Sequence, residues 1–86
     1  MAHSSLLADV ASQARAVLGR SRIFDLRTLV VDERGDCLVL RGSVDSFYHK
    51  QLAQELVKAA VEPVEVINEI QVDYQRGQRR NLAEGW

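Results

Sequence analysis

The chain has a single cysteine, Cys37, among its 86 residues, so it forms no internal disulfide and holds no multi-cysteine metal centre. It has a single proline, Pro63, leaving helices free to run on either side of it. Aromatics are sparse: two phenylalanines, two tyrosines and one tryptophan. Neither sign of charge dominates, the net charge being −1, so no global field draws the chain to nucleic acid or to a membrane, and any such attraction has to be local. No apolar run approaches the roughly 18 residues of a transmembrane helix. The start, Met1-Ala2-His3-Ser4-Ser5, lacks the basic opening of a secretory signal, and Asp9, Ser12, Gln13 and Arg15 interrupt the apolar residues after it. The expectation is a cytoplasmic protein that meets a membrane, if at all, from its surface. No P-loop, dinucleotide fingerprint or metal-ligand spacing is present, so the expected catalytic, cofactor and metal sites are none.

What is present is ordinary globular composition, 47% hydrophobic and 27% charged, enough for one small domain. Leu6, Leu7, Val10, Ala11, Ala14, Val17 and Leu18 recur at the spacing of a one-sided helix. Ser4 or Ser5 is its expected N-cap, and Gly19 its end in a left-handed turn. Residues 23–33 read as a strand entered through Ile23-Phe24 and apolar on both sides at its middle. Glu33-Arg34-Gly35-Asp36 reads as a hairpin turn with glycine at positive φ. A second strand places Leu38, Leu40 and Val44 on one face and Val39 and Arg41 on the other, with Gly42 on the inward row. A helix seeded at Asp45 or Ser46 comes next, with Tyr48, Leu52, Ala53, Leu56, Val57 and Ala60 as its apolar stripe, stopped by Pro63. The third strand alternates strictly: Val64, Val66, Asn68, Ile70, Val72 and Tyr74 on one face; Glu65, Ile67, Glu69, Gln71 and Asp73 on the other. The helical crossover makes it parallel to the second strand. The expectation is an α+β fold of order αββαβ: a three-stranded mixed sheet with two helices packed on one face, over residues 1–74, and a flexible tail over 75–86.

The runs Leu38-x-Leu40-x-Gly42-x-Val44 and Val66-x-Asn68-x-Ile70-x-Val72, flanking a helix, resemble the pattern of the BON domain, a bacterial module named for osmotic-shock and nodulation proteins. The resemblance spans about residues 4–74. The chain departs from it at Glu62-Pro63, where relatives usually carry Gly-Val, and at Gly35-Asp36, where the turn glycine is shifted by one. The resemblance implies a non-enzymatic binding module for phospholipid surfaces or other proteins. Most such relatives carry a secretion signal, often with two copies of the domain; here there is one copy.

The remaining candidates are local. His49 reads as a half-buried or surface helix residue, Cys37 as an inert thiol, and Gly42 and Asn68 as structural residues, one for close packing and one for a hydrogen bond near a turn. Glu65, Glu69 and Asp73 read as a solvated face with Arg41 as cross-strand partner. Val39 and Ile67 form an expected small apolar patch on the uncovered side of the sheet, which is incidental, covered by the tail through Leu82 and Trp86, or a surface for weak self-association or a partner. Phe47, off the helical stripe, either folds back over the preceding loop or, beside Lys50, sits at a lipid headgroup boundary. Arg15, Arg20, Arg22 and Arg27 form a loose basic cluster, and Arg76, Arg79 and Arg80 another, each either solvated or open to anionic phosphates. The expected function is thus a non-catalytic module for a protein partner or an anionic phospholipid surface. A KH-like nucleic-acid-binding domain shares the element order and is the alternative, but the Gly-x-x-Gly clamp of that family is missing.

Overall fold

The computed structural model describes residues 2–75, with side chains from Leu6 onward. The expected tail, with Arg76, Arg79, Arg80, Leu82 and Trp86, lies outside the described residues. Helix α1 (Ala2–Gly19) buries Ala11, Ala14 and Leu18 at three- and four-residue spacing, with Leu7 and Val10 packed beside them. It begins before Ser4 and Ser5, which are therefore helical rather than capping. Gly19 ends it, but without a positive φ; among the described residues only Gly35 and Gly42 take one.

The expected long first strand is divided. Phe24–Arg27 forms a short helix, α2, and extended structure begins only at Val30, as β1 (Val30–Arg34). Extending the strand back to Ile23 would draw Leu26 and Asp25 out of the interior, where both are buried. Thr28 closes α2 by donating its hydroxyl to the Asp25 carbonyl. Strand β2 (Cys37–Arg41) returns antiparallel through a two-residue turn at Gly35-Asp36, where Gly35 has φ 59°.

The chain then hitches at Gly42 and continues as β3 (Ser43–Val44), helix α3 (Phe47–Val61), β4 (Val66–Asn68) and β5 (Gln71–Val72). Ser46 caps α3, accepting from the His49 amide at 3.2 Å, and Glu62 before Pro63 is extended, at φ −51° and ψ 140°. Strands β1, β2 and β4 form a three-stranded sheet, while β3 and β5 pair as its continuation. Leu38 lies opposite Val66 and Val44 opposite Val72, so one parallel register runs through both pairings. The architecture is α+β with αββαβ order, a mixed sheet and helices packed against it.

The core is aliphatic. Leu38, Leu40, Val44, Val31 and Ile70 from the sheet meet Ala53, Val57 and Val61 of α3 and the buried row of α1, with Val66 and Val72 partly buried beside them. Arg15 of α1 donates to the Val31 carbonyl at 2.9 Å, so it secures helix to sheet rather than joining a free basic cluster. Tyr48, expected on the apolar stripe, is exposed; it sits in the first turn of α3, beyond the end of the core.

Gly42 meets its packing role through a different neighbour than a helix. At φ 132°, a Cβ there would lie 2.8 Å from Leu29 Cδ2 and 3.5 Å from the Leu29 Cα. The backbone conformation therefore demands glycine, and any Cβ would in addition push the end of the Leu29 side chain aside. Gly42→Val should lower unfolding stability by about 2 kcal/mol or more in a urea titration, and an unchanged midpoint would refute this reading.

Candidate functional site

The outer face of the sheet carries a network of ion pairs. Register places Arg34, Asp32 and Val30 on β1, Cys37, Val39 and Arg41 on β2, and Glu65, Ile67 and Glu69 along the third strand on that side. Arg34 reaches across the central strand to Glu69 with two hydrogen bonds, at 2.9 and 3.3 Å. Arg41, the expected partner of the acidic row, lies 3.6 Å from Glu69 and 3.5 Å from Asp32. The bridge spans the row that holds Val39, and Val39 is fully buried, not exposed as expected. Ile67 is half-buried. Val39 therefore drops out of the expected apolar patch, while Ile67 keeps part of its surface and Val30, on the same face, is exposed. Hydrogen bonding from Arg34, then its charge, holds the Glu69 carboxyl below the usual carboxylate range. Beside it, burial and then the Glu65 carboxylate, 3.6 Å from the sulfur, push the Cys37 thiol up, away from the thiolate.

At the hairpin end, an open apolar groove of about 220 Å³ is lined by Leu6, Leu7, Val10, Asp36 and Val64. A single carboxylate at its rim offers no set of converging groups for chemistry.

The opposite end is different. Four of the aromatic residues are gathered there and none is in the core: Phe24 is 66% exposed, Phe47 56%, Tyr48 68% and Tyr74 60%. Their positions arise from hydrogen bonds between neighbouring residues. The Asp45 amide donates to Asp25 Oδ2 at 3.0 Å, tying the start of α2, with Phe24, to the start of α3, with Phe47 and Tyr48. The Asp73 amide donates to the Val44 carbonyl at 2.7 Å, bringing Tyr74 to the same end. The Arg27 guanidinium lies 5.6 Å from the centre of the Phe24 ring. Arg20 and Arg22, both outside the core, lie in the connection that leads into α2, and Lys50 is half-buried in the first turns of α3. Phe47, Lys50, Arg20 and Arg22 are thus legible from sequence as surface candidates. Phe24 is not, because its neighbours read as a strand, nor is Tyr48, whose spacing fits the core stripe.

Beneath the aromatics lies a polar junction. Asp25 and Asp45 are buried, and Asp45 Oδ1 lies 3.0 Å from His49 Nδ1. One ligand atom from each of the three residues falls within 4.8 Å of the others. His49 has the half-buried helical position expected of it, and the four-residue spacing of Asp45 and His49 is readable; the approach of Asp25 from twenty residues earlier is not.

The family motif residues are structural. Leu38, Leu40, Val44 and Ile70 are buried, Val66 and Val72 line the core, and Asn68 is held by three hydrogen bonds. Comparison with known families matches residues 7–74, the segment that builds this interior, to the BON domain. The chain belongs to the BON domain family. BON domains are in general non-catalytic binding domains. The same comparisons find no match among curated proteins or solved structures. No helix among the described residues is long and apolar enough to cross a membrane.

The Arg34–Glu69 bridge has a pH signature. A carboxyl whose folded value is depressed adds stability above its unfolded value, and this is lost as pH falls through the folded one. Carboxyl NMR should place the Glu69 midpoint below the ordinary glutamate value, and Arg34→Gln should raise it. Equal midpoints in the two proteins would show that the bridge does not persist in solution.

Proposed function

We propose that this BON domain binds anionic phospholipid surfaces through the edge formed by Phe24, Phe47, Tyr48 and Tyr74. The observation that carries this reading is the segregation of aromatics: a chain with few of them builds its core from aliphatic residues and keeps these four in water at one end. An exposed aromatic patch beside long basic side chains suits the boundary between headgroups and acyl chains. Arg20, Arg22 and Arg27 flank Phe24 along the chain and Lys50 follows Phe47 and Tyr48, with Asp73 an exposed charge of opposite sign next to Tyr74. Each cation near an anionic surface contributes about 1 kcal/mol, and each phenylalanine moved out of water about 1.5–3 kcal/mol. A few such contacts suffice for reversible attachment without a membrane span.

In this reading the chain is cytoplasmic and peripheral, and no catalysis is involved. A protein partner at the same edge is the competing version. The nucleic-acid alternative gains nothing from the sheet, whose outer face is occupied by its own ion pairs.

Sedimentation with vesicles tests the proposal. The chain should bind vesicles rich in phosphatidylglycerol at low salt, bind pure phosphatidylcholine poorly, and release as salt rises. Phe47→Ala should weaken binding about tenfold while leaving the thermal midpoint nearly unchanged, since Phe47 lies outside the core. No binding to anionic vesicles at low salt would leave the protein-partner version.

A further inference from the structure

The junction beneath the aromatic edge brings together donors of a type the family motif does not involve. We propose that Asp25, Asp45 and His49 form a binding site for one divalent ion of the zinc class. The three donors arrive from three segments: α2, the turn after β3, and the first turn of α3. Two are carboxylates more than nine-tenths buried, at 7% and 8% exposure, and the third is an imidazole whose side chain keeps 22% exposure.

The distances suit a small ion. Two ligands of one tetrahedral zinc stand about 3.3 Å apart. Asp45 Oδ1 and His49 Nδ1 are already 3.0 Å apart. The full donor set lies within 4.8 Å, which side-chain rotations of about an ångström bring into coordination range. Binding exchanges the imidazole–carboxylate contact for two metal bonds, with a proton on Nδ1 moving to Nε2 of the neutral ring or, from the imidazolium, to solvent. The half-open side of His49 leaves the fourth position to water.

Donor chemistry sets the class of ion. One imidazole and two carboxylates suit zinc and its neighbours, whereas calcium takes six or more oxygens and magnesium keeps near-ideal octahedral geometry. The positive end of α3 faces the same space and opposes a cation. Both carboxylates are therefore needed to offset it, and loss of either one weakens the site. An ion there would bridge α2 to α3 and hold Phe24 and Phe47 in fixed relation. Metal binding itself is independent of the lipid reading.

Calorimetric titration of the full chain with zinc sulfate, in a buffer that does not bind metal and without lipid, tests the site. One equivalent should bind, more tightly than calcium or magnesium, with the His49 ring resonances shifted in NMR spectra. His49→Gln and Asp25→Asn should each weaken binding about tenfold or more. Cys37→Ser and His3→Ala, which remove the other zinc-binding side chains of His and Cys type, should leave it unchanged. Circular dichroism of each variant separates loss of the site from loss of the fold. No saturable zinc binding by the unaltered chain would overturn the proposal, as would binding that survives His49→Gln or disappears in Cys37→Ser.

Discussion

One side-chain amide, that of Asn68, holds the arrangement together. Its Nδ2 donates to the Lys50 carbonyl and to Gln54 Oε1, both at 3.1 Å, and its Oδ1 accepts the Ile70 amide at 3.1 Å. The amides of Glu69, Gln71 and Asp73 bond to the carbonyls of Leu40, Gly42 and Val44, so that of Ile70 points the other way, to the open edge. Without Asn68 that group would lack a partner where the ladder is interrupted between β4 and β5. With it, the same side chain closes the strand and grips the second turn of α3. An amide left unpaired against the core would be costly, and its three hydrogen bonds are why half-buried Asn68 is stable on an otherwise apolar face.

The placement of α3 then decides what the rest can do. Ala53, Val57 and Val61 settle over the sheet, while Ala11 and Ala14 let α1 come close beside it. Small aliphatic side chains fill this interior, so no aromatic ring is needed within it. Phe47 and Tyr48, one turn ahead of Gln51, project past the end of the sheet. The Asp25–Asp45 hydrogen bond brings Phe24 to the same place. Core composition and aromatic surface are two sides of one packing solution.

Features that depend on periodicity are readable in the sequence. Alternation over residues 64–72 and the helical stripes of residues 6–18 and 52–60 each reflect one face in contact with the core. Short or nonlocal features are not. Phe24–Arg27 is a single turn, too brief to show a helical period, and its Phe and Leu suit a strand as well. Tyr48 has the right spacing from Leu52, but spacing does not reveal where the sheet ends beneath a helix. Val39 reads as exposed because the ion pair that crosses its row joins Arg34 and Glu69, residues 35 positions apart. The same distance problem hides Asp25 from Asp45 and His49, while Gly42 is recognisable as a packing residue but not by its true neighbour, Leu29.

Amide hydrogen exchange in the native chain and in Asn68→Ala tests the role of Asn68 most directly. The Ile70 amide should be well protected in the native protein. In Asn68→Ala, Ile70 and the α3 amides around Lys50 and Gln54 should lose about 2 kcal/mol of protection, with three hydrogen bonds of about 1 kcal/mol each partly replaced by water. Equal protection in the two proteins would mean that hydrophobic packing alone seats the helix, and that Asn68 only occupies its position.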